Sequence, residues 1–303
     1  MKRSLRIADL VLAIESDDLA WAFEPDAPQR LFDVDQQAGD VQVDVHWHPL
    51  GQQDFGDEIF SLSNDPATDP PDCRLFCNEE GLWTFEVHSG GYLDGTKLFL
   101  ERVAVFQPGF RRGDLYIKLA RRDLDVYPNP LRPPLDRVLF VNLMAQHEGM
   151  LLHSCGVVVD GRGYVFVGAS GAGKSTMAGL WAEYDDVTVL GEECLILRRK
   201  GTDFWVYGTP WIGESWRCSP LGAPIAGIYF IRHARRNVVT PLPAERAMEQ
   251  LLSRSYLTSY EPSSANKGLD LGLDLSTRVP VYDFGFLPDK SAVRLIREGR
   301  GRD

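Results

Sequence analysis

The chain has 303 residues, 44% hydrophobic and 25% charged, which is enough to bury a sizeable core and long enough for two domains. A formal net charge of −11 at pH 7 argues against nucleic acid as a partner, because that binding rests on Lys and Arg neutralising phosphates. The five cysteines, Cys73, Cys77, Cys155, Cys194 and Cys218, are odd in number, scattered and without C-x-x-C spacing, so they indicate reduced thiols rather than a disulfide framework or a zinc site.

At the amino end, Met1-Lys2-Arg3 ahead of apolar residues has the outline of a signal peptide, but Asp9 interrupts the run and Glu15 ends it. No other segment suits a membrane span, so a cytoplasmic location without a membrane partner is expected. Val41, Val43, Val45 and Trp47 alternate with Gln42, Asp44, His46 and His48, the two-residue period of a half-buried strand. Asp44, His46 and His48 would share one face, and two histidines at i and i+2 can reach one metal; with no fourth ligand in view, a hydrated strand face is the simpler reading. The pattern returns at Trp83–His88 and Leu115–Leu119, while the turn-rich stretch 64–71 reads as a loop. Residues 1–125 are therefore expected to form a β-rich domain. The proline-spaced run Tyr127-Pro-Asn-Pro-Leu-Arg-Pro-Pro134 marks a linker over 126–134, and a helical pattern at about 135–147 opens a second domain, 135–303.

The second domain carries the chemistry. Cys155–Val159 and Tyr164–Val167 flank Asp160-Gly161-Arg162-Gly163, a connection that favours a β-hairpin. The next run, Gly168-Ala169-Ser170-Gly171-Ala172-Gly173-Lys174-Ser175-Thr176, matches G-x-x-x-x-G-K-[ST] at every constrained position. Its glycines let backbone N–H groups converge on phosphate oxygens, the helix expected after it adds a positive end, Lys174 adds a full charge from a surface position, and the Ser175 hydroxyl suits Mg²⁺. A helix over Thr176–Glu183 and a β-run Val187–Leu190 ending in Gly191-Glu192-Glu193 complete the segment. Ordinary P-loop ATPases and GTPases enter this motif from a parallel βαβ sheet, whereas the hairpin gives the strand an antiparallel neighbour. A GTPase also needs Asn-Lys-x-Asp; Asn266-Lys267-Gly-Leu-Asp270 is one residue too long and has no strand before it. Glu214 and Arg217 lie in a Gly- and Trp-containing loop able to close over a substrate, and Arg232-His-Ala-Arg-Arg236 reads as a solvated basic loop.

His153 in Leu151-Leu-His-Ser-Cys-Gly156, the phosphate loop, and Gly191-Glu192-Glu193 together resemble, in order and approximate spacing, the catalytic domain of HPr kinase/phosphorylase, whose fold is related to the ATP-dependent phosphoenolpyruvate carboxykinases. The resemblance covers roughly residues 136–290. It departs at two places: glutamates stand where that family has Gly-Asp-Asp or Ser-Asp-Asp, and its Glu-x-Arg-Gly signature is absent from the stretch Val206–Arg217, which counts against HPr itself as acceptor.

The resemblance implies an α/β fold, an HPr-kinase-like P-loop nucleotide-binding domain, here behind an N-terminal β-rich domain. It implies a phosphotransferase (EC 2.7 class, alcohol acceptor) using ATP and Mg²⁺ to phosphorylate a serine-like hydroxyl of a protein, peptide or small metabolite. The resemblance does not cover residues 1–125, whose β-rich surface phosphoryl transfer does not require; substrate recognition is expected there on that ground. Lys174 would bridge the β- and γ-phosphates; Ser175 and Glu192 would serve the metal. Glu192 or Glu193 would take the hydroxyl proton, which of the two being open. His153 would orient an acidic residue or touch phosphate. That family being hexameric, a homo-oligomer is compatible. The alternatives are a nucleotide-binding regulator without transfer activity, or a conventional P-loop NTPase.

Overall fold

Two long mixed sheets make up the α/β protein; strands such as Val41–His46 of the first are buried with period two, whereas central strands of the second, such as Arg162–Val167, are buried along consecutive residues. The computed structural model describes residues 2–16, 27–35, 38–62, 73–93, 96–119, 129–213, 215–258 and 260–299. The loop expected at 64–71, residues 126–128 of the expected linker, and Glu214 lie outside the described residues. By internal contacts the chain divides into residues 1–143 and 144–303.

The first unit contains β1 (Lys2–Ile7), β2 (Leu10–Ser16), α1 (Ala27–Arg30), β3 (Asp33–Val34), β4 (Val41–His46), β5 (Asp57–Leu62), β6 (Cys73–Cys77), β7 (Trp83–Leu93), β8 (Thr96–Phe106), β9 (Arg112–Leu119) and most of α2 (Leu135–Gln146). Among the described residues its nine strands lie in the order β3-β1-β2-β4-β9-β8-β7-β6-β5. The signal-like start is a β-hairpin, and Asp9 sits in its tight turn with φ 63. Val41, Val43 and Val45 are buried as their alternation requires. On the other face Asp44 takes a hydrogen bond from Arg112 at 2.8 Å, and His46 meets Asp114 at 2.9 Å and stacks on Tyr116. His48 falls beyond the strand, and no metal-holding cluster of His, Cys, Asp and Glu occurs among the described residues.

Residues 129–134 are held to β8. The Arg102 guanidinium is buried and donates to the carbonyls of Pro130, Arg132 and Pro133 at 3.2, 2.7 and 3.1 Å. Burial pushes its pKa down to about 10, with the Asp136 carboxylate acting against the shift, so the group stays charged at neutral pH.

The second unit contains β10 (Gly149–Leu152), β11 (Ser154–Val159), β12 (Arg162–Val167), α3 (Lys174–Ala182), β13 (Val187–Gly191), β14 (Leu195–Lys200), β15 (Asp203–Tyr207), β16 (Gly222–His233), β17 (Val238–Pro241), α4 (Ala244–Leu252), β18 (Ser255–Tyr256), α5 (Pro262–Arg278), β19 (Val281–Phe286) and α6 (Lys290–Gly299). The main path of the sheet is β13-β11-β12-β16-β15-β14-β10-β18, and β19 joins it beside β16. β12 pairs antiparallel with β11, as the hairpin predicts, and parallel with β16, a partner about sixty residues away that local pattern does not reveal.

Helices cover both faces of this sheet. Val165, Val167, Ile228 and Phe230 face one cluster with Leu251 of α4 and Leu271 and Leu275 of α5. Tyr164, Phe166, Tyr229 and Ile231 face the other, with Met177, Ala178 and Trp181 of α3 and Val293 and Ile296 of α6. Each such side chain, fully buried, contributes about 1.5–3 kcal/mol relative to exposure. This burial on both faces of β12 and β16 fixes the loop that leaves the carboxyl end of β12. Asn266, Lys267 and Asp270 sit inside α5, away from any base-reading strand end.

Candidate phosphate-binding site

Gly168–Gly173 connect β12 to α3, so the motif has the strand, loop and helix that phosphate binding needs. Gly173 takes φ 97 at the helix start, a left-handed conformation that a side chain resists, and a Cβ there would also lie 2.7 Å from Phe286 Cζ. No side chain caps α3, which leaves its first-turn amides for an anion or water. Ala169, Ser170 and Gly171 are exposed, as are Ser175 and Thr176 on the first turn.

Lys174 is not the surface residue the motif suggested. It is 8% exposed, and its Nζ donates to the carbonyls of Gly168 at 3.0 Å and Ala169 at 3.3 Å. The loop curls round the ammonium with these carbonyls turned toward it. Two of three donors are used this way, leaving one for a phosphate oxygen. Burial pushes the Lys174 pKa below its ordinary value; Cys155 and Glu193 oppose that shift and the like charge of Arg254 adds to it.

Beneath the lysine lies Cys155, whose Sγ donates to the Lys174 carbonyl at 3.2 Å. Complete burial drives this thiol far above its ordinary pKa, and the nearby Glu192 charge pushes the same way.

Gly191 is the last residue of β13, which frees the next two carboxylates from strict strand alternation. The two glutamates then have different surroundings. Glu192 is no solvated turn residue: its side chain is fully buried, Oε1 accepts from Arg217 Nη1 at 3.1 Å, and Oε2 has no hydrogen-bond partner among the described residues. Glu193 is one-third exposed, with Oε1 3.7 Å from His153 Nδ1. The same Nδ1 lies 2.8 Å from the Glu193 carbonyl, so in the neutral ring it carries the proton and Nε2 is the basic nitrogen. The His153 amide in turn donates to the Arg254 carbonyl at 2.9 Å, which brings the end of α4 to the site.

Arg217 follows β15 and precedes β16; nearby, Gly208 N donates to Leu221 O at 3.0 Å, Ser219 N to Leu190 O of β13 at 3.1 Å and Thr209 Oγ1 to Cys194 O at 2.6 Å. Beside it Trp216 is 66% exposed with φ 60, an outlier for a bulky residue. His153, Lys174, Glu192, Glu193 and Arg217 are thus linked through contacts next to the loop Gly168–Gly173, and Arg254 and Cys155 join them. No local pattern points to Arg254, which reaches the site from about a hundred residues away, and Cys155 read only as one of five scattered thiols.

A divalent cation fits the donors present. Glu192 Oε2 is a buried carboxylate oxygen with no hydrogen-bond partner among the described residues, Ser175 offers a hydroxyl, and Mg²⁺ typically combines one or two protein oxygens with substrate phosphates. A scan against protein-family models matches no family, and a search of curated proteins finds no relative.

Proposed function

We propose that the protein is an ATP- and Mg²⁺-dependent phosphotransferase of the HPr-kinase-like type, acting on a serine-like hydroxyl of a protein, peptide or small metabolite. The observation that carries this reading is the pairing of a phosphate loop with two differently housed carboxylates: Glu192 buried with an unsatisfied oxygen, and Glu193 half-open beside His153.

In this reading the loop amides and Lys174 hold the phosphates, and the ammonium bears on the charge of the β- and γ-groups. Ser175 and Glu192 hold the cation, which when bound offsets phosphate charge. Glu193, reachable by solvent, accepts the proton of the acceptor hydroxyl as its oxygen approaches the γ-phosphorus, and His153 fixes the Glu193 backbone and lies 3.7 Å from its carboxylate. Arg217 positions Glu192 and, being half-exposed, keeps guanidinium donors for the charge of the transferring phosphate.

One observation favours the regulator reading instead: Arg217 already engages Glu192 and Lys174 is already bonded within its own loop. Turnover separates the two. Incubating the full chain with Mg·ATP and pools of peptides or hydroxyl metabolites, then reading mass gain of one phosphoryl group, is expected to identify an acceptor. Nucleotide binding with no transfer to any pool would favour the regulator.

A further inference from the structure

The phosphate loop has two flanks. On one, β13 delivers Glu192 and Glu193 from beyond β11; on the other, β16 and β19 run parallel to β12 and end beside it. The register that places Val167 against Phe230 brings Gly168 level with Ile231, so Arg232–Arg236 begins one strand spacing, about 4.8 Å, from the loop. The expected basic loop is in part strand, since Arg232 and His233 end β16.

The turn after β16 is fixed by hydrogen bonds. Ala234 N donates to Phe286 O at 3.0 Å, Leu287 N donates to Asn237 Oδ1 at 2.7 Å, and Asn237 Nδ2 donates to Ser291 Oγ at 2.6 Å. The exposed His233 ring stacks on Phe286 with centroids 5.3 Å apart, and a Cβ on Gly173 would lie 3.1 Å from its Cε1. Arg232 is paired with Asp283 at 2.8 Å. Arg235 and Arg236 are exposed and take part in no ion pair or hydrogen bond among the described residues. With Arg232, Ala234, Val238 and Gly285 they line a groove of about 380 Å³. Two uncommitted guanidiniums on a rigid turn are a local excess of positive charge in a chain of net charge −11.

From this we infer that the end of β16 is the nucleoside subsite: ribose and base lie over the carboxyl ends of β16 and β19, against His233 and the planes of Arg235 and Arg236. The inference rests on the proposed phosphate-loop function and adds a direction to it. A γ-phosphate must face the acceptor and the carboxylates on the β13 flank, so the rest of the nucleotide extends toward the opposite flank. Ligands of open α/β sheets lie in the crevice outside the carboxyl ends of the strands, and guanidinium planes stack on aromatic rings.

Calorimetric titration of the full chain with Mg·ATP and with Mg·tripolyphosphate separates the two ideas, because tripolyphosphate fills the phosphate loop and has no nucleoside. Arg235→Ala/Arg236→Ala is expected to weaken Mg·ATP by roughly tenfold or more and tripolyphosphate by less than about threefold; His233→Ala, which removes ring surface without removing a fixed charge, is expected to move in the same direction. Equal weakening of both ligands, or of neither, overturns the subsite while leaving the phosphate loop standing. Failure of the parent protein to bind either ligand overturns the phosphate-loop function and the subsite with it.

Discussion

Arg217 donates from Nη1 to Oε1 of Glu192 at 3.1 Å, while Oε2 of the same carboxylate is buried with no hydrogen-bond partner among the described residues. One half-exposed guanidinium is thus the charge that holds a fully buried carboxylate, and half of that carboxylate's accepting capacity is unused. Such an arrangement is costly in isolation and becomes favourable when a cation meets the second oxygen.

Arg217→Ala should therefore destabilise the ligand-free protein by about 1–3 kcal/mol, less than a wholly buried pair because solvent already screens the arginine. Mg·ATP should raise Tm more in this variant than in the parent. Thermal melts with and without Mg·ATP test this; identical melting of the two ligand-free proteins would show that the pair has no structural weight.

Glu193→Gln keeps the shape of the side chain and removes its proton affinity. Phosphoryl transfer is expected to slow by roughly 10²–10⁴-fold, with little change in nucleotide affinity. His153→Asn should slow transfer by a smaller factor, because it disturbs the position of Glu193 and leaves the base present. Single-turnover rates with an identified acceptor distinguish these outcomes, and a parent-like rate for Glu193→Gln would move the base to Glu192 or His153.

Cys155 ties stability to alkaline pH. The folded thiol keeps its proton where the unfolded one, with an ordinary value of 9.0, has begun to lose it. The folded state then binds more protons, so stability falls as pH rises: the contribution is full below pH 9.0 and declines above it by about 1.4 kcal/mol per pH unit. Urea unfolding in reducing buffer should show the parent losing stability faster than Cys155→Ala above that pH, and parallel curves would contradict the assignment. The thiol should also resist alkylation in the native protein, since the thiolate is the reactive form.

Local pattern made much of the second unit legible. The hairpin, the loop and α3 follow from glycine spacing and alternation, and Gly191 ends β13 where a glycine before two carboxylates suggested. The parts that depend on distant pairing were not legible. β16 lies beside β12 across about sixty residues and carries Arg232 and His233 as strand, although their charge read as loop. Burial of charge was equally hidden. Lys174 is enclosed by its own loop's carbonyls, Glu192 lies under Arg217, and Arg102 is held by three carbonyls of a segment that reads as a linker. Each is a buried polar group offset by partners that only the folded chain supplies.

The central claim is that Gly168–Thr176 binds the phosphates of a nucleotide through Lys174. Lys174→Met tests it most directly, since methionine fills the buried space of the lysine stem and removes only the charge and its donors. Calorimetry with Mg·ATP is expected to show binding to the parent and an affinity roughly 10²-fold weaker in the variant, at an unchanged far-ultraviolet circular dichroism spectrum. Equal affinity of the two proteins for Mg·ATP would contradict the account.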